Sequence, residues 1–163
     1  PRPPAGPSRG SGRDTAQDQV IVLDAYAPPA RLKGEPAAPQ ARALLEGDDR
    51  SCLTAVGVAE VVDHLVRLSG ASEDDAALDL AQLGLADALA VDTAVGLRAG
   101  LLRARHYHRK NRAVSLADCV AVEAARANDA PLASADPHLL DVCRDEDVRV
   151  MPLSDSTGHT WSH

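Results

Sequence analysis

Val20-Ile21-Val22-Leu23-Asp24 is a run of four apolar residues closed by an acid, and Pro131-Leu132-Ala133-Ser134-Ala135-Asp136 ends in the same way. The first run has no polar alternation. An uninterrupted apolar segment this short suits a strand buried on both faces of a parallel sheet. In such sheets ligands collect outside the carboxyl ends of the strands, which is where Asp24 and Asp136 fall.

Outward from these two strands, strand and helix patterns alternate. Pro36 to Glu46 carries Ala37, Ala41, Leu44 and Leu45 at helical spacing, with Gly47 as the stop. Ser51 to Ala55 is a short strand. Val58, Val61, Val62, Leu65 and Leu68 form one stripe of a helix over Val56–Leu68 that ends at Gly70. Ser72-Glu73-Asp74-Asp75 caps a helix running to about Leu83. A short apolar piece, Leu89 to Val91, leads into a helix opened by Asp92. Ser115 to Asn128 is helical, as is Leu139 to Cys143, and Val148 to Leu153 is the last strand. This alternation predicts an α/β domain with a mostly parallel sheet covered on both faces.

A chain of 163 residues is one domain's worth. Residues 1–19 are rich in Pro, Gly, Ser and Arg without apolar period and are expected to be disordered; 20–154 form the folded domain, and 155–163 a flexible tail. Aromatics are only 2% and Phe is absent, so the core must be Leu, Val and Ala. A formal net charge of −7 leaves nucleic-acid contact to a local basic patch. Three cysteines, Cys52, Cys119 and Cys143, without C-x-x-C spacing argue for reduced thiols. No apolar run reaches the ~18 residues of a membrane span, and there is no signal-peptide pattern. The chain therefore reads as soluble and cytoplasmic. His159 and His163 are better read as solvated imidazoles than as a metal clamp.

Four acids invite a functional reading, and each has a structural one beside it. Asp24 and Asp136 sit at strand ends, where an Asp also serves as a turn or cap residue, as the nearby Pro28, Pro29 and Pro137 allow. Asp118 stands three residues after Ser115 in Ser115-Leu116-Ala117-Asp118, a capping box that needs no metal. Glu60 shares a helix stripe with His64 and Arg67, and periodicity alone does not single it out. Four acids gathered in one place would need a cation to offset their repulsion.

Arg103-Ala104-Arg105-His106-Tyr107-His108-Arg109-Lys110-Asn111-Arg112 holds five of the 17 Lys and Arg residues and no acid. Its start complements a helix C-terminus. Its continuation to Arg112 points to phosphate contact by Arg103, Arg105, Arg109, Lys110 and Arg112, with a base stacked on Tyr107.

The stretches VIVLDAYA, GEPAA, VAEVVDHLVR and SLADCVAVEAARANDAPLASAD together resemble the PIN domain, in particular the VapC-like toxins of bacterial toxin–antitoxin pairs. The resemblance runs from about Val20 to Leu153, and SLADC followed eighteen residues on by the acid of PLASAD is its most specific part. It implies a small α/β/α sandwich and a metal-dependent endoribonuclease. It places the family's four acids on Asp24, Glu60, Asp118 and Asp136, with Ser134 supporting them. It further implies Mg²⁺ or Mn²⁺ as cofactor, a VapB-like antitoxin as partner, and a homodimer or a heterotetramer with antitoxin. Two departures stand out. Tyr26 occupies a place that is often small or hydroxyl-bearing, and Pro28-Pro29 predict a first helix beginning late, near Leu32 or after Pro36. A PIN domain that binds RNA or protein without cutting is the alternative. A phosphatase of another α/β class is disfavoured by Tyr26, which stands where a second Asp would be needed.

Overall fold

The computed structural model describes residues 19–162. The disorder expected for the N-terminal extension falls, except for Gln19, outside the described residues, as does His163. In chain order the elements are β1 (Val20–Leu23), α1 (Ala27–Lys33), α2 (Ala38–Glu46), β2 (Arg50–Cys52) and α3 (Ala55–Asp63), which continues into a π-helical stretch (His64–Leu68). Then come α4 (Glu73–Gln82), α5 (Thr93–His106), α6 (Leu116–Ala127), β3 (Leu132–Ser134), α7 (Pro137–Asp145) and β4 (Val150–Pro152).

The four strands lie in the order β2-β1-β3-β4, and every pairing is parallel. An isolated parallel bridge between Thr54 and Leu89 accounts for the apolar piece at Leu89. β1 is central and its alternate side chains enter different cores. Val22 packs with residues of α5, α6 and α7, among them Ala99, Leu102, Val122 and Leu139. Ile21 and Leu23 pack on the other side with Ala30, Ala41, Val61 and Leu80. β3 repeats the division, with Leu132 on the first face and Ala133 on the second. Both faces of the sheet are covered, so each inward side chain of β1 is worth about 2 kcal/mol of burial. The expected three-layer α/β/α sandwich is the observed fold.

One expectation is corrected. α1 begins at Ala27, with prolines in its first turn, instead of near Leu32 or after Pro36. Pro28 and Pro29 are compatible with this because the first N–H groups of a helix have no intrahelical acceptor, and proline's fixed φ already suits the helix. Gly34, at φ 67°, ends it in the left-handed region open to glycine. The tail beyond Ser154 is folded back. Ser154 bridges Thr160, Asp155 Oδ1 accepts from the backbone N–H groups of Thr157 and His159, and Trp161 Nε1 donates to Asp141 at 3.2 Å.

The three cysteines are free and buried, and burial pushes the Cys119 and Cys143 thiols up to about 11 and 12. They act as small apolar core residues. No described helix is long and apolar enough to cross a membrane.

Candidate functional site

The register of β1 against β3 builds the centre of the site. Leu23 pairs with Ala133, and Asp24 N–H donates to Ala133 O at 2.9 Å, so Asp24 emerges beside Ser134. The fully buried Ser134 hydroxyl donates to Asp24 Oδ2 at 2.7 Å and accepts from Asp136 N–H at 3.0 Å. One hydroxyl thus ties together two acids that are far apart in sequence. Asp136 also caps α7, accepting from His138 N–H at 2.8 Å.

Asp118 comes from the opposite side. Ser115 N–H donates to Asp118 Oδ2 at 2.6 Å and Asp118 N–H donates to Ser115 Oγ at 2.9 Å, a complete capping box at the start of α6. The cap does not remove Asp118 from the cleft, which it lines together with Ser115. Glu60, half-buried on α3, completes the ring. Thr54 fixes that helix by accepting from Gly57 N–H at 3.0 Å.

Asp24, Glu60, Asp118 and Asp136 therefore line one cleft of about 560 Å³, although they come from four separate elements. Their charges interact. Loss of hydration pushes the Asp24 carboxyl up to about 7, with Asp118 and Asp136 adding to the rise and Ser134 opposing it. Burial also raises Asp118, against its Ser115 bonds, and raises Glu60, helped by Asp118 and Asp63. Desolvation and like charge thus act in the same direction. Among the described residues, no three His, Cys, Asp or Glu side chains converge on one coordination point. Asp24, Asp118 and Asp136 are each drawn to a donor of their own.

The outer wall of the cleft holds Tyr26, Pro29, Glu35, Asp63, His64, Arg67, Asp155 and Ser156. In the sequence Tyr26 stands out only as a departure from the family pattern, and nothing marks Glu35 or Asp155 as site residues. Glu35 reaches it through the turn at Gly34, and Asp155 through the folded-back tail. Neither route has a periodic signal.

The basic run divides. Arg103 lies close enough to Asp118 to favour its charge, donates to Val114 O at 3.2 Å, and covers one face of Tyr107 at 4.2 Å. Arg105 and His106 pair with Glu146 at 3.1 and 2.6 Å, and Arg112 pairs with Asp145 at 2.8 Å. Arg112 Nη1, which can only donate, also contacts His106 Nδ1, so His106 presents Nε2–H to Glu146. Burial opposes the Glu146 charge, but His106, Arg105 and Arg126 outweigh it and hold the carboxyl near 2. Arg105 and Arg112, expected as RNA contacts, are thus both engaged in ion pairs that fasten α5 and the following turn to the end of α7. Arg109 and Lys110 are exposed between the bridged residues His108 and Arg112. None of the run lines the cleft.

No curated protein matches this chain. Among solved structures, VapBC2 from Rickettsia felis bound to a DNA fragment of its promoter is similar, with a TM-score of 0.58 and 14% identity over 83% of this chain and 100% of that one. FitAcB from Neisseria gonorrhoeae is similar with a TM-score of 0.56 and 20% identity, covering 80% and 96%. At these identities the likeness is one of fold. The sequence model of the PIN domain matches residues 21–145, which include all four acids, and the chain belongs to the PIN domain family.

Proposed function

We propose that this protein is a Mg²⁺- or Mn²⁺-dependent endoribonuclease, the toxin of a toxin–antitoxin pair. The observation that carries the reading is the arrival of Asp24, Glu60, Asp118 and Asp136 at one cleft from β1, α3, α6 and the β3–α7 junction.

The donor set fits a hard divalent cation: four carboxylates line the cleft with the Ser115 hydroxyl nearby and no thiolate. Asp24 and Asp118 would hold the ion directly, and Glu60 and Asp136 would do so through water. When bound, the cation lowers the pKa of a coordinated water and offsets charge on the phosphodiester.

The protein's own groups do the rest. The Ser134 hydroxyl and the Ala25 backbone N–H hold the Asp24 carboxylate in place. Asp118 is oriented by its cap. Glu60, whose burial favours the protonated form, takes up and releases a proton at the attacking water. Arg103 behind Asp118 supplies positive charge for an RNA backbone that four bare acids would repel. Arg109 and Lys110 extend that contact, while Arg105, Tyr107 and Arg112 shape the turn that carries them.

The structural likeness to VapBC2 and FitAcB supports a VapB-like antitoxin as partner. Leu97 and Leu101, 66% and 53% exposed one turn apart on α5, support self-association into a homodimer or a heterotetramer with antitoxin. An RNA-cutting toxin of this kind acts in the cytoplasm.

The test is incubation of the purified chain with RNA and Mn²⁺ or Mg²⁺, alongside EDTA and the variants Asp24→Asn and Asp118→Asn. Cleavage by the wild type alone, and only with metal, is the expected result. Equal cleavage by all three proteins, or none by any free of antitoxin, overturns the reading. The second of these outcomes favours a PIN domain that binds without cutting, for which the cap roles of Asp118 and Asp136 already provide a use.

A further inference from the structure

We propose that the outer wall of the cleft is a base-recognition subsite, in which Tyr26 stacks on a nucleobase and Glu35 accepts hydrogen bonds from its edge, favouring guanine. The inference rests on the ribonuclease reading for its RNA, and it concerns residues that take no part in the four-acid centre.

Tyr26 stands two residues after Asp24, so its ring is held next to the acids by the chain itself. It is partly exposed, lines the cleft beside Pro29, and donates its hydroxyl to Glu35 Oε2 at 2.8 Å. That bond fixes the ring before any ligand arrives, so stacking orders little more of the protein. The geometry behind it is local. Tyr26 N-caps α1, the prolines stiffen the first turn, and Gly34 reverses the chain so that Glu35 faces back toward the start of the helix.

The charges on this wall select what can sit there. Glu35, Asp63 and Asp155 all line it, and ionised carboxylates only accept hydrogen bonds. They repel phosphate and favour a donor-rich group. Two of the three are already occupied. Asp63 chelates Arg67 through Nε and Nη2, at 3.0 and 2.8 Å, and Asp155 Oδ1 accepts from Thr157 N, Thr157 Oγ1 and His159 N. Among the described residues, the Glu35 carboxylate takes one hydrogen bond, from Tyr26. It retains lone pairs for a ligand. Guanine offers two adjacent donors on one edge, N1–H and the N2 amino group, which match a single carboxylate. Adenine, cytosine and uracil each present one donor group there. Single-stranded RNA, with its bases unstacked and presented edge-on, is the form such a site can read.

The experiment uses the full chain with Mn²⁺ and four single-stranded RNAs: oligouridine alone, or carrying one guanine, adenine or cytosine. Cleavage positions are mapped, and binding of the four nucleoside 5′-monophosphates is measured in parallel. The wild type is expected to cut next to guanine about tenfold faster than elsewhere, the discrimination of a good two-bond contact. Glu35→Gln and Tyr26→Ala should bring that ratio within about twofold, and Tyr26→Phe, which keeps the ring, should retain part of it. Thermal unfolding checks that each variant is folded. Equal cutting of all four RNAs, or a guanine ratio that survives in folded Glu35→Gln, overturns the subsite and leaves the nuclease reading intact. If no RNA is cut, tighter binding of the guanosine monophosphate that depends on Glu35 upholds the subsite while the nuclease reading falls; equal binding of all four overturns both.

Discussion

Replacing Asp24 by Asn should stabilise the metal-free protein and abolish its response to Mg²⁺ or Mn²⁺. Desolvation and two neighbouring acids raise the Asp24 carboxyl from 3.8 to about 7. A raised carboxyl is stabilising where it is protonated. That contribution is complete below the unfolded value and is lost as pH rises through about 7, because the unfolded chain ionises freely and the folded one does not. Three pH units correspond to a penalty of about 4 kcal/mol at pH 8, as a ceiling. Asn keeps the acceptor for the Ser134 hydroxyl and removes the charge, so it should recover much of that energy. For a domain of this size, roughly 3 °C per kcal/mol gives a rise in Tm of several degrees at pH 8 in EDTA. The same linkage makes the gain about 2 kcal/mol smaller at pH 5.5. Calorimetry or thermal melts of both proteins at the two pH values, with EDTA and then with excess Mn²⁺, measure it. An Asn variant that melts below wild type at pH 8, or whose gain is identical at both pH values, refutes the argument from buried charge. A variant still stabilised by Mn²⁺ refutes the role of Asp24 as a ligand.

The remaining expectations concern proton release, the central hydroxyl, the α7 ion network and self-association. Metal binding must displace the Asp24 proton below pH 7, so Mn²⁺ affinity should fall about tenfold per unit as pH drops from 7 to 5.5; titration calorimetry showing constant affinity over that range counts against it. Ser134→Ala removes a donor from Asp24 and an acceptor from Asp136 N–H, and should cost about 1–3 kcal/mol in denaturant melts while lowering nuclease rate. Glu146→Gln should cost about 1–3 kcal/mol near neutral pH, since Arg105, His106 and Arg126 all converge on that carboxylate. Its folded value lies near 2, so this stability is present above the ordinary glutamate range and is lost as pH falls toward 2. A wild-type advantage that persists unchanged at pH 2 contradicts this. Finally, Leu97→Asp combined with Leu101→Asp should convert a dimer to monomers in light scattering, and an unchanged mass rules out that face as the interface.

Local sequence determined much of the architecture. The unbroken apolar run Val20–Leu23 could only be a strand buried on both sides, and Val22 and Ile21 do enter different cores. Ser72, Asp92 and Ser115 each cap the helix they were read to open. These signals are legible because helix period, capping and strand burial act over a few residues. The start of α1 is not legible in this way, because Pro28-Pro29 suggests a barrier although the first turn of a helix tolerates both. Glu123 gave no warning either. It is 1% exposed on α6 and neutralised by Arg98 and Arg126 at 3.1 and 2.8 Å, partners 25 and 3 residues away.

The cleft belongs to the tertiary structure. Sequence placed Asp24 and Asp136 at strand ends, but the parallel register of β1 on β3 decided that one buried hydroxyl, Ser134, would hold both. Glu60 is an unremarkable polar position on its own helix. It becomes a member of the site because packing of α3 brings it within the field of Asp118. The basic run shows the converse: its charge is plain in sequence, yet Glu146 and Asp145 at the end of α7 engage Arg105 and Arg112. Periodicity and capping depend on neighbours along the chain, whereas charge, desolvation and convergence depend on neighbours in space. Only the fold brings those together.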